Sequence, residues 1–217
     1  MDNDQDRQGR RQQIIDAAEE IIFSEGLERA TMDDIAEAAD IGKGTLYYYF
    51  KNKTALYLTI NGRGLRFLNQ RFAAVLTEDE PGIELVRRLG EEFIKFVRSR
   101  PHYFDTMMRC ESLESLDNAE LGGVQEVIRE REQQIFAYTL RALQAGIQDG
   151  TIESKFNPHR LAIHILANVR GLTQLYNLKR KGHYGELFQD MDLHLEELFE
   201  ESMNLMIDGM KARTDKH

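Results

Sequence analysis

Hydrophobic side chains recur along this chain with the spacing of α-helices. Ile14, Ala17, Ala18 and Ile21 follow the i, i+3, i+4, i+7 rule, which predicts an amphipathic helix over about 9–24 that ends at Gly26. Strand-like alternation of useful length is missing, and so is any internal repeat. The sequence therefore predicts an all-α protein of about nine helices. Further helices are predicted over about 31–39, 43–50, 53–76, 82–100, 102–109, 124–147, 158–178 and 189–210.

Proline and glycine mark the predicted ends and interruptions of these helices. Pro81 stands at or near a first helical position and Pro158 stands at one, where a missing N–H costs nothing. Gly62 and Gly64 lie inside the helix predicted over 53–76, where each costs about 1 kcal/mol relative to alanine. We therefore expect a bend or a close contact there. The segments 111–123 and 179–185 are expected to be loops or frayed helix ends, and the charged tail after 210 is expected to be disordered.

Composition narrows the class of protein. The 41% of apolar residues is enough for a hydrophobic core, and the single cysteine, Cys110, excludes a disulfide framework and a cysteine-based zinc site. Apolar runs stay well below the roughly 18 residues of a membrane span, and the polar segment 1–13 cannot be a secretory signal. We expect a cytoplasmic protein. The net charge of −9 argues against bulk binding to nucleic acid but leaves room for a local basic footprint.

The segment 31–53 predicts a helix-turn-helix. Thr31 stands at an N-cap position, and a tight turn at 40–42 leads into a second short helix. From 42 to 54 there are three lysines and no acidic residue. Small Gly44 and Thr45 would let the helix backbone approach a groove closely, and lysines suit phosphates. Adjacent helical residues are about 100° apart, so the tyrosines at 47–49 cannot all face the core. These features indicate a helix that enters the major groove of DNA.

The first 55 or so residues resemble the DNA-binding domain of the TetR family of bacterial transcriptional repressors. The likeness is carried by RRQQIIDAAEEIIFSEG and by ATMDDIAEAADIGKGTLYYYFKNKTAL. Two positions depart from the usual pattern, because Asp40 stands where glycine is common and Gly42 stands where a serine or threonine usually caps the second helix. The resemblance implies a DNA face formed by Thr31, Lys43, Gly44, Thr45, Tyr47, Tyr48, Tyr49 and Lys53.

The same resemblance implies a DNA-binding domain over 1–52 and a domain over 53–217 that binds a small ligand and forms a homodimer. The helices predicted over 158–178 and 189–210 are apolar on more than one side, as expected of a four-helix dimer interface. Aromatic and methionine side chains cluster around the break at Pro101 and could line an apolar ligand cavity, as the resemblance implies, whereas their composition alone is that of an ordinary core. These candidate ligand residues are Phe93, Phe96, Tyr103, Phe104 and Met107.

Two other classes of protein compete with this interpretation. A helical-bundle enzyme of the di-iron type needs Glu-x-x-His pairs, and none of the six histidines has a glutamate three residues before it. Phosphate-binding and nucleophile motifs are also missing, so we expect no catalytic residue, metal or cofactor. A helical adaptor that does not bind DNA would not need the basic helix at 43–53. The sequence thus favours a transcriptional regulator, a repressor released from operator DNA by a largely apolar small molecule.

Overall fold

The computed structural model describes residues 2–114, 121–180 and 194–212, and these residues form nine helices. Within those ranges no strand occurs, and one isolated bridge pairs Ile152 with Lys211. The predicted all-α fold is therefore confirmed. The helices are α1 Asp2–Glu25, α2 Met32–Ala38, α3 Lys43–Tyr49, α4 Lys53–Val75, α5 Gly82–Ser99, α6 Pro101–Glu114, α7 Gly122–Gln148, α8 Pro158–Arg180 and α9 Leu195–Met210.

Two of the predicted helices are longer in the structure. Helix α1 begins at Asp2 rather than near residue 9. The earlier start was not predicted, because the polar residues before Ile14 carry no hydrophobic period that indicates a helix. Helix α6 continues to Glu114, so the prediction that it ends near 109 is wrong. The segment 111–123, predicted to be a loop or a frayed helix end, includes the last turn of α6 and the start of α7 at Gly122. Its residues 115–120, most of the segment 179–185, residues 189–193 of the last predicted helix and the tail from 213 lie outside the described residues.

The chain divides into two compact units, of which the first comprises residues 1–66 and 102–131. Its core is built from apolar side chains of α1, α2, α3, the first half of α4 and α6. Helix α1 packs on α2, and α2 packs on α3. The buried side chains of the helix-turn-helix and of the helix before it include Ile14, Ala18, Ile35, Ala39, Leu46 and Phe50.

The glycines inside α4 are explained by close contacts within this first unit. A Cβ atom at Gly64 would lie 3.0 Å from the Cβ of Tyr103, and one at Gly62 would lie 2.9 Å from Nη1 of Arg131. The guanidinium of Arg131 also donates a hydrogen bond to the carbonyl oxygen of Gly62. The expected close contact is therefore present at both positions.

The second unit comprises residues 67–101 and 132–217. Helix α5 packs on α9, where Phe93 meets Phe199 edge to face at a centroid distance of 5.3 Å, and α9 also packs on α8. Helices α5 and α7 approach so closely that a Cβ at Gly82 would overlap the backbone of Gly146.

The two units do not follow the predicted domain boundary after residue 52, since the first unit also includes residues 102–131. That boundary describes a division of function, and it stays a prediction. Among the described residues, none of the helices combines the length and the apolar character needed to cross a membrane.

Candidate nucleic-acid interface

The first helix of the helix-turn-helix is capped as the sequence predicts. The hydroxyl of Thr31 accepts a hydrogen bond from the backbone N–H of Asp34 at 3.1 Å, and the carboxylate of Asp34 accepts one from the backbone N–H of Thr31 at 3.1 Å. This capping box satisfies two N–H groups that the helix itself leaves unpaired. It fixes the start of α2, and Thr31 remains exposed there.

The turn between α2 and α3 depends on two residues that depart from the resemblance. Asp40 has a φ of 50°, the left-handed conformation that aspartate tolerates better than most residues. Gly42 is the N-cap of α3 and makes no side-chain capping bond. The backbone N–H groups of the first turn of α3 are therefore left without a side-chain cap at Gly42.

The surface of α3 divides cleanly into a core side and an exposed side. Leu46 is fully buried. Tyr47 and Tyr48 are 45% and 63% exposed, and the half-buried Tyr49 meets Tyr48 edge to face at a centroid distance of 5.2 Å. Large exposed aromatic side chains on a short helix indicate a binding surface. The structure thus brings Tyr47 and Tyr48 to the surface beside the exposed residues Lys43, Gly44 and Thr45.

Gly44 is not required by the fold. A Cβ atom at this position would meet no atom within 4 Å, and its φ is not in the left-handed region. Glycine nevertheless weakens a helix relative to alanine, by up to about 1 kcal/mol. Internal packing therefore does not explain this glycine, which leaves the backbone of α3 open to the approach of another molecule.

Two of the three lysines in this segment make contacts within the protein. The ammonium of Lys43 lies 2.6 Å from the carboxylate of Asp33, and this hydrogen bond and ion pair raise the pKa of Lys43. The half-buried Lys53 donates to the carbonyl oxygen of Ala30 at 2.7 Å and to that of Glu28 at 3.3 Å. Lys53 therefore ties the start of α4 to the loop before α2. Its place at the DNA face stays a prediction.

Arginines of α1 lie beside this surface, although they were not among the residues predicted to contact DNA. The guanidinium of Arg7 lies 5.6 Å from the centroid of the Tyr48 ring, and that of Arg11 lies 5.0 Å from the centroid of the Phe50 ring. The i, i+3, i+4 spacing of Arg7, Arg10 and Arg11 was the available signal, because it places three cations on one side of a helix.

An ionic cluster connects three helices of the first unit, with Arg63 and Glu19 mostly buried and Asp16 exposed. Arg63 of α4 is ion-paired with Glu19 of α1 and lies 2.7 Å from the carboxylate of Asp16. The hydroxyl of Tyr103, on α6, donates to Glu19 at 2.5 Å. Burial and this hydrogen bond raise the pKa of Tyr103 to about 12, so the hydroxyl keeps its proton. Burial alone would lower the pKa of Arg63, but hydrogen bonding to Asp16 and the charge of Glu19 raise it.

The five candidate ligand residues are divided between the two units. Phe93 and Phe96 belong to the second unit, whereas Tyr103, Phe104 and Met107 belong to the first. Phe96, Tyr103 and Phe104 are buried, and Phe93 and Met107 are half-buried. Their role as a ligand site stays a prediction.

A surface groove of about 520 Å³ lies in the second unit at the turn between α7 and α8. Its lining includes Ile147, Ile152, Glu153 and Ala212 but none of the candidate ligand residues. In the ranges that the structure covers, groups of three or more histidine, cysteine or acidic side chains suited to a metal ion do not occur.

Known regulatory proteins share the segment that contains α2 and α3. A sequence profile described as "Bacterial regulatory proteins, tetR family" matches residues 14–60, which span α2, α3 and the ends of their neighbours. The chain is 30% identical over 146 residues to the uncharacterised HTH-type transcriptional regulator YhgD of Bacillus subtilis, covering 66% of this chain and 72% of YhgD. It is 28% identical over 179 residues to the probable acrEF/envCD operon repressor of Escherichia coli K12, covering 80% and 78%.

The fold has counterparts among solved structures. The transcriptional regulator FadR from Bacillus subtilis, solved in complex with stearoyl-CoA, superposes with a TM-score of 0.65 at 20% identity, covering 92% of this chain and 98% of FadR. The tetR family consists of DNA-binding regulators rather than enzymes, so the enzyme and adaptor alternatives are excluded. The exposed face of α3, the capped α2 and these likenesses lead to one conclusion: the chain belongs to the tetR family of bacterial regulatory proteins and is a DNA-binding transcriptional regulator.

Proposed function

We propose that this protein is a cytoplasmic repressor that binds operator DNA as a homodimer and releases it when a small, largely apolar effector binds. The observation that carries the DNA-binding part is the surface of α3, where Gly44 leaves the backbone open and two tyrosines project into solvent. The probable operon repressor of Escherichia coli supports repression as the mode of regulation.

The DNA-binding step follows from the shape and chemistry of α3. The open backbone at Gly44 and the small side chain of Thr45 allow the start of the helix to enter the major groove. Tyrosine hydroxyls at 47 and 48 can donate to phosphate oxygens while their rings cover sugars. Lys43 can reach a phosphate if it exchanges its exposed partner Asp33 for one, and exposed ion pairs of this kind are weak.

Replacing Gly44 with alanine is expected to separate DNA affinity from stability. The methyl group meets no protein atom, so the free energy of unfolding should stay the same or rise by up to about 1 kcal/mol. Affinity should fall about fivefold or more, because a methyl group forced into a close interface costs at least about 1 kcal/mol. Both are measured on the purified protein, by thermal unfolding and by titration of a duplex that the wild type selects from a random library.

Gly123→Ala is the matched control for this variant. Gly123 is also helical and also has no atom within 4 Å of its Cβ position, but it lies on α7, outside both α3 and the proposed dimer interface. This control should gain stability without losing affinity. Equal affinities of Gly44→Ala and wild type would show that the backbone of α3 does not approach DNA closely.

The homodimer is proposed from the apolar surface that α8 and α9 leave exposed. Helix α8 has 23 residues but buries just Ala162 and Thr173 among the side chains that the structure describes. Ile163 and Leu166 on α8 and Leu205 on α9 are 56%, 41% and 76% exposed. A second copy of the same surface would cover them with twofold symmetry. Two recognition helices could then reach half-sites about 34–36 Å apart.

Coupling between effector and DNA is proposed to pass through the ionic cluster of the first unit. Tyr103 is on α6, among the candidate ligand residues, and its hydroxyl is bonded to Glu19 on α1. Glu19 is paired with Arg63 on α4, the helix that directly follows the helix-turn-helix. An effector that prefers another position of α6 would therefore shift α4 and α1 together. The effector can shift the equilibrium between the two positions of α6 only as far as its affinities for those two positions differ.

The chemistry of the effector is proposed to be largely apolar, from the aromatic and methionine residues around Pro101. The FadR structure, which holds stearoyl-CoA, supports an effector with a long apolar part. Phe104 and Met107 lie on α6 one turn apart, and Tyr103 is next to Phe104. A ligand in contact with them would act directly on the helix that carries Tyr103.

Met107→Trp is expected to block release from DNA while operator affinity stays within about twofold of the wild type. The half-buried Met107 is on α6 and the larger indole would fill space that the effector needs, whereas α3 is untouched. The measurement is the concentration of oleoyl- or stearoyl-CoA that releases the selected duplex. Met108→Trp, also half-buried on α6, is the control for added volume. Release of Met107→Trp at the wild-type concentration would remove Met107 from the effector site.

One experiment tests the proposed function as a whole. The full-length protein is incubated with a random duplex library, bound sequences are amplified over several rounds, and the selected duplex is titrated by mobility shift. We expect an inverted-repeat sequence bound by two protomers and released by a small molecule from a panel of acyl-CoA thioesters, drugs and aromatic acids. Selection of a motif without symmetry would contradict the homodimer, and binding that no panel member weakens would contradict the proposed effector.

A further inference from the structure

The helix-turn-helix of this protein carries no net positive charge to attract DNA. Residues 31–53 contain four acidic and three basic side chains. Lys43 is paired with Asp33, and Lys53 donates to two backbone carbonyls. Affinity for DNA depends strongly on cations that replace the counterions of the phosphates. Lys51 is exposed and Lys43 can exchange Asp33 for a phosphate, but four acidic side chains offset these cations, so positive charge from another part of the protein would strengthen binding.

Three arginines of α1 are placed to supply it. Arg7, Arg10 and Arg11 have the i, i+3, i+4 spacing that brings them to one side of the helix. The guanidinium of Arg7 stacks over Tyr48, at 5.6 Å from the ring centroid, and Tyr48 is the most exposed tyrosine of α3. Arg11 lies over Phe50 at 5.0 Å, directly after α3. The arginine side of α1 is thus continuous with the exposed surface of α3.

A second set of contacts holds this part of α1 against the helix-turn-helix. The side-chain amide of Gln13 donates to the carbonyl oxygen of Ala39, at the end of α2, at 2.9 Å. Gln13 in turn accepts a hydrogen bond from the guanidinium of Arg10 at 3.1 Å. Arg10 is therefore held next to the turn between α2 and α3, although its own side chain is exposed.

Packing within the protein does not explain the arginine-containing sequence of residues 5–13 of α1. Every residue from 5 to 13 is exposed, and burial begins only at Ile14. An exposed helix of this length gains little stability by itself in water. Planar guanidinium groups on such a surface are suited to phosphate oxygens, which they bind through two parallel hydrogen bonds.

We propose that Arg7 and Arg10 of α1 form an additional DNA-binding surface, which contacts the phosphate backbone beside the bases that α3 reads. The surface places two cations beside the exposed side of α3, and Arg7 also holds the ring of Tyr48 in its exposed position. This inference rests on the DNA-binding part of the proposed function. It extends the DNA contact beyond α2 and α3 onto the backbone that flanks the half-site.

The test is a salt titration of the double variant Arg7→Gln, Arg10→Gln on the duplex that the wild type selects from a random library. Glutamine keeps a high helix propensity and a polar end group but removes the charge. The plot of log affinity against log salt should lose about two units of slope per bound protomer, one for each lost phosphate contact. The preferred base sequence should not change, because phosphate contacts carry no direct sequence information.

The matched control is the double variant Arg141→Gln, Arg160→Gln, which removes two exposed positive charges from the second unit and should keep the wild-type slope. An equal loss of slope in this control would show a general effect of net charge and would overturn the proposal. Arg7→Lys separates a phosphate contact from a purely structural role. It should keep the slope, because the charge remains.

The outcomes distinguish this inference from the function on which it rests. A wild-type protein that selects no duplex would contradict both. A wild type that binds its selected duplex, together with an unchanged slope for the double glutamine variant, would overturn the α1 surface alone. If Arg7→Lys weakens binding as much as Arg7→Gln at an unchanged slope, Arg7 merely positions Tyr48 and makes no phosphate contact.

Discussion

Leu205→Asp is expected to yield a monomer that has lost at least about a hundredfold in affinity for the selected duplex. Leu205 is 76% exposed in the single chain, so aspartate there does not disturb the packing of α9 within that chain. In a homodimer the same carboxylate would enter an apolar seam without a partner, which is strongly unfavourable. Separated protomers lose the second half-site, and the effective concentration that links two sites is worth about a hundredfold or more.

Sedimentation measures the mass and circular dichroism verifies that the fold is kept. The wild type should sediment at twice the chain mass of 25.2 kDa, and the variant at the chain mass. Gln133→Asp, at an exposed polar position of α7, adds the same charge as a control and should remain dimeric. Leu198 is less suitable for this test, because it is half-buried within the chain. A Leu205→Asp variant of unchanged dimer mass would place the interface elsewhere.

Arg63→Met is expected to lower the free energy of unfolding by about 3 kcal/mol, because it leaves the carboxylate of Glu19 buried without its cation. The side chains of Arg63 and Glu19 are both 13% exposed, so water cannot replace the lost partner. Tyr103 still donates one hydrogen bond to Glu19, but a single hydroxyl does not neutralise the charge. Urea unfolding followed by circular dichroism gives the difference.

Two further variants make this prediction specific. Arg71→Met breaks the ion pair with Glu92, in which the side chain of Arg71 is 38% exposed. This variant should lower the free energy of unfolding by less than about 1 kcal/mol. Adding Glu19→Gln to Arg63→Met removes the stranded charge and keeps an acceptor for the Tyr103 hydroxyl, so it should recover much of the loss. If Arg63→Met lowers the free energy of unfolding by no more than the Arg71→Met control does, the ionic cluster does not stabilise the first unit.

The helix-turn-helix is the part of the protein that could be predicted most completely from sequence. The cap at Thr31, the left-handed turn at Asp40 and the buried Leu46 each follow from local chemistry over a few residues. Local rules of this kind hold wherever the segment folds, because the interacting groups are neighbours in the chain. The same rules did not reveal that Lys53 would donate to carbonyls 23 and 25 residues earlier, since that contact depends on packing.

Interactions between distant segments could not be predicted from the sequence either, because they also depend on packing. The pairing of Glu19 with Arg63 joins residues 44 positions apart, and the contact of Glu19 with Tyr103 joins residues 84 positions apart. Glycines 62 and 64 indicated that something approaches α4, but their partners could be identified only from the structure. The arginines of α1 stood in a polar stretch without hydrophobic period, so nothing in the pattern connected them to Tyr48.

The sequence by itself determined the all-α class, the order of the helices, the family and the residues of α3 that are candidates for DNA. These properties depend on periodicity, caps and a motif of fixed spacing, all of which are local. The tertiary structure alone decided which tyrosines are exposed, which lysines make contacts within the protein, and which apolar residues of α8 and α9 remain uncovered. Exposure and ion pairing depend on the packing of segments far apart in the chain, and that packing results from the free energy of the whole fold.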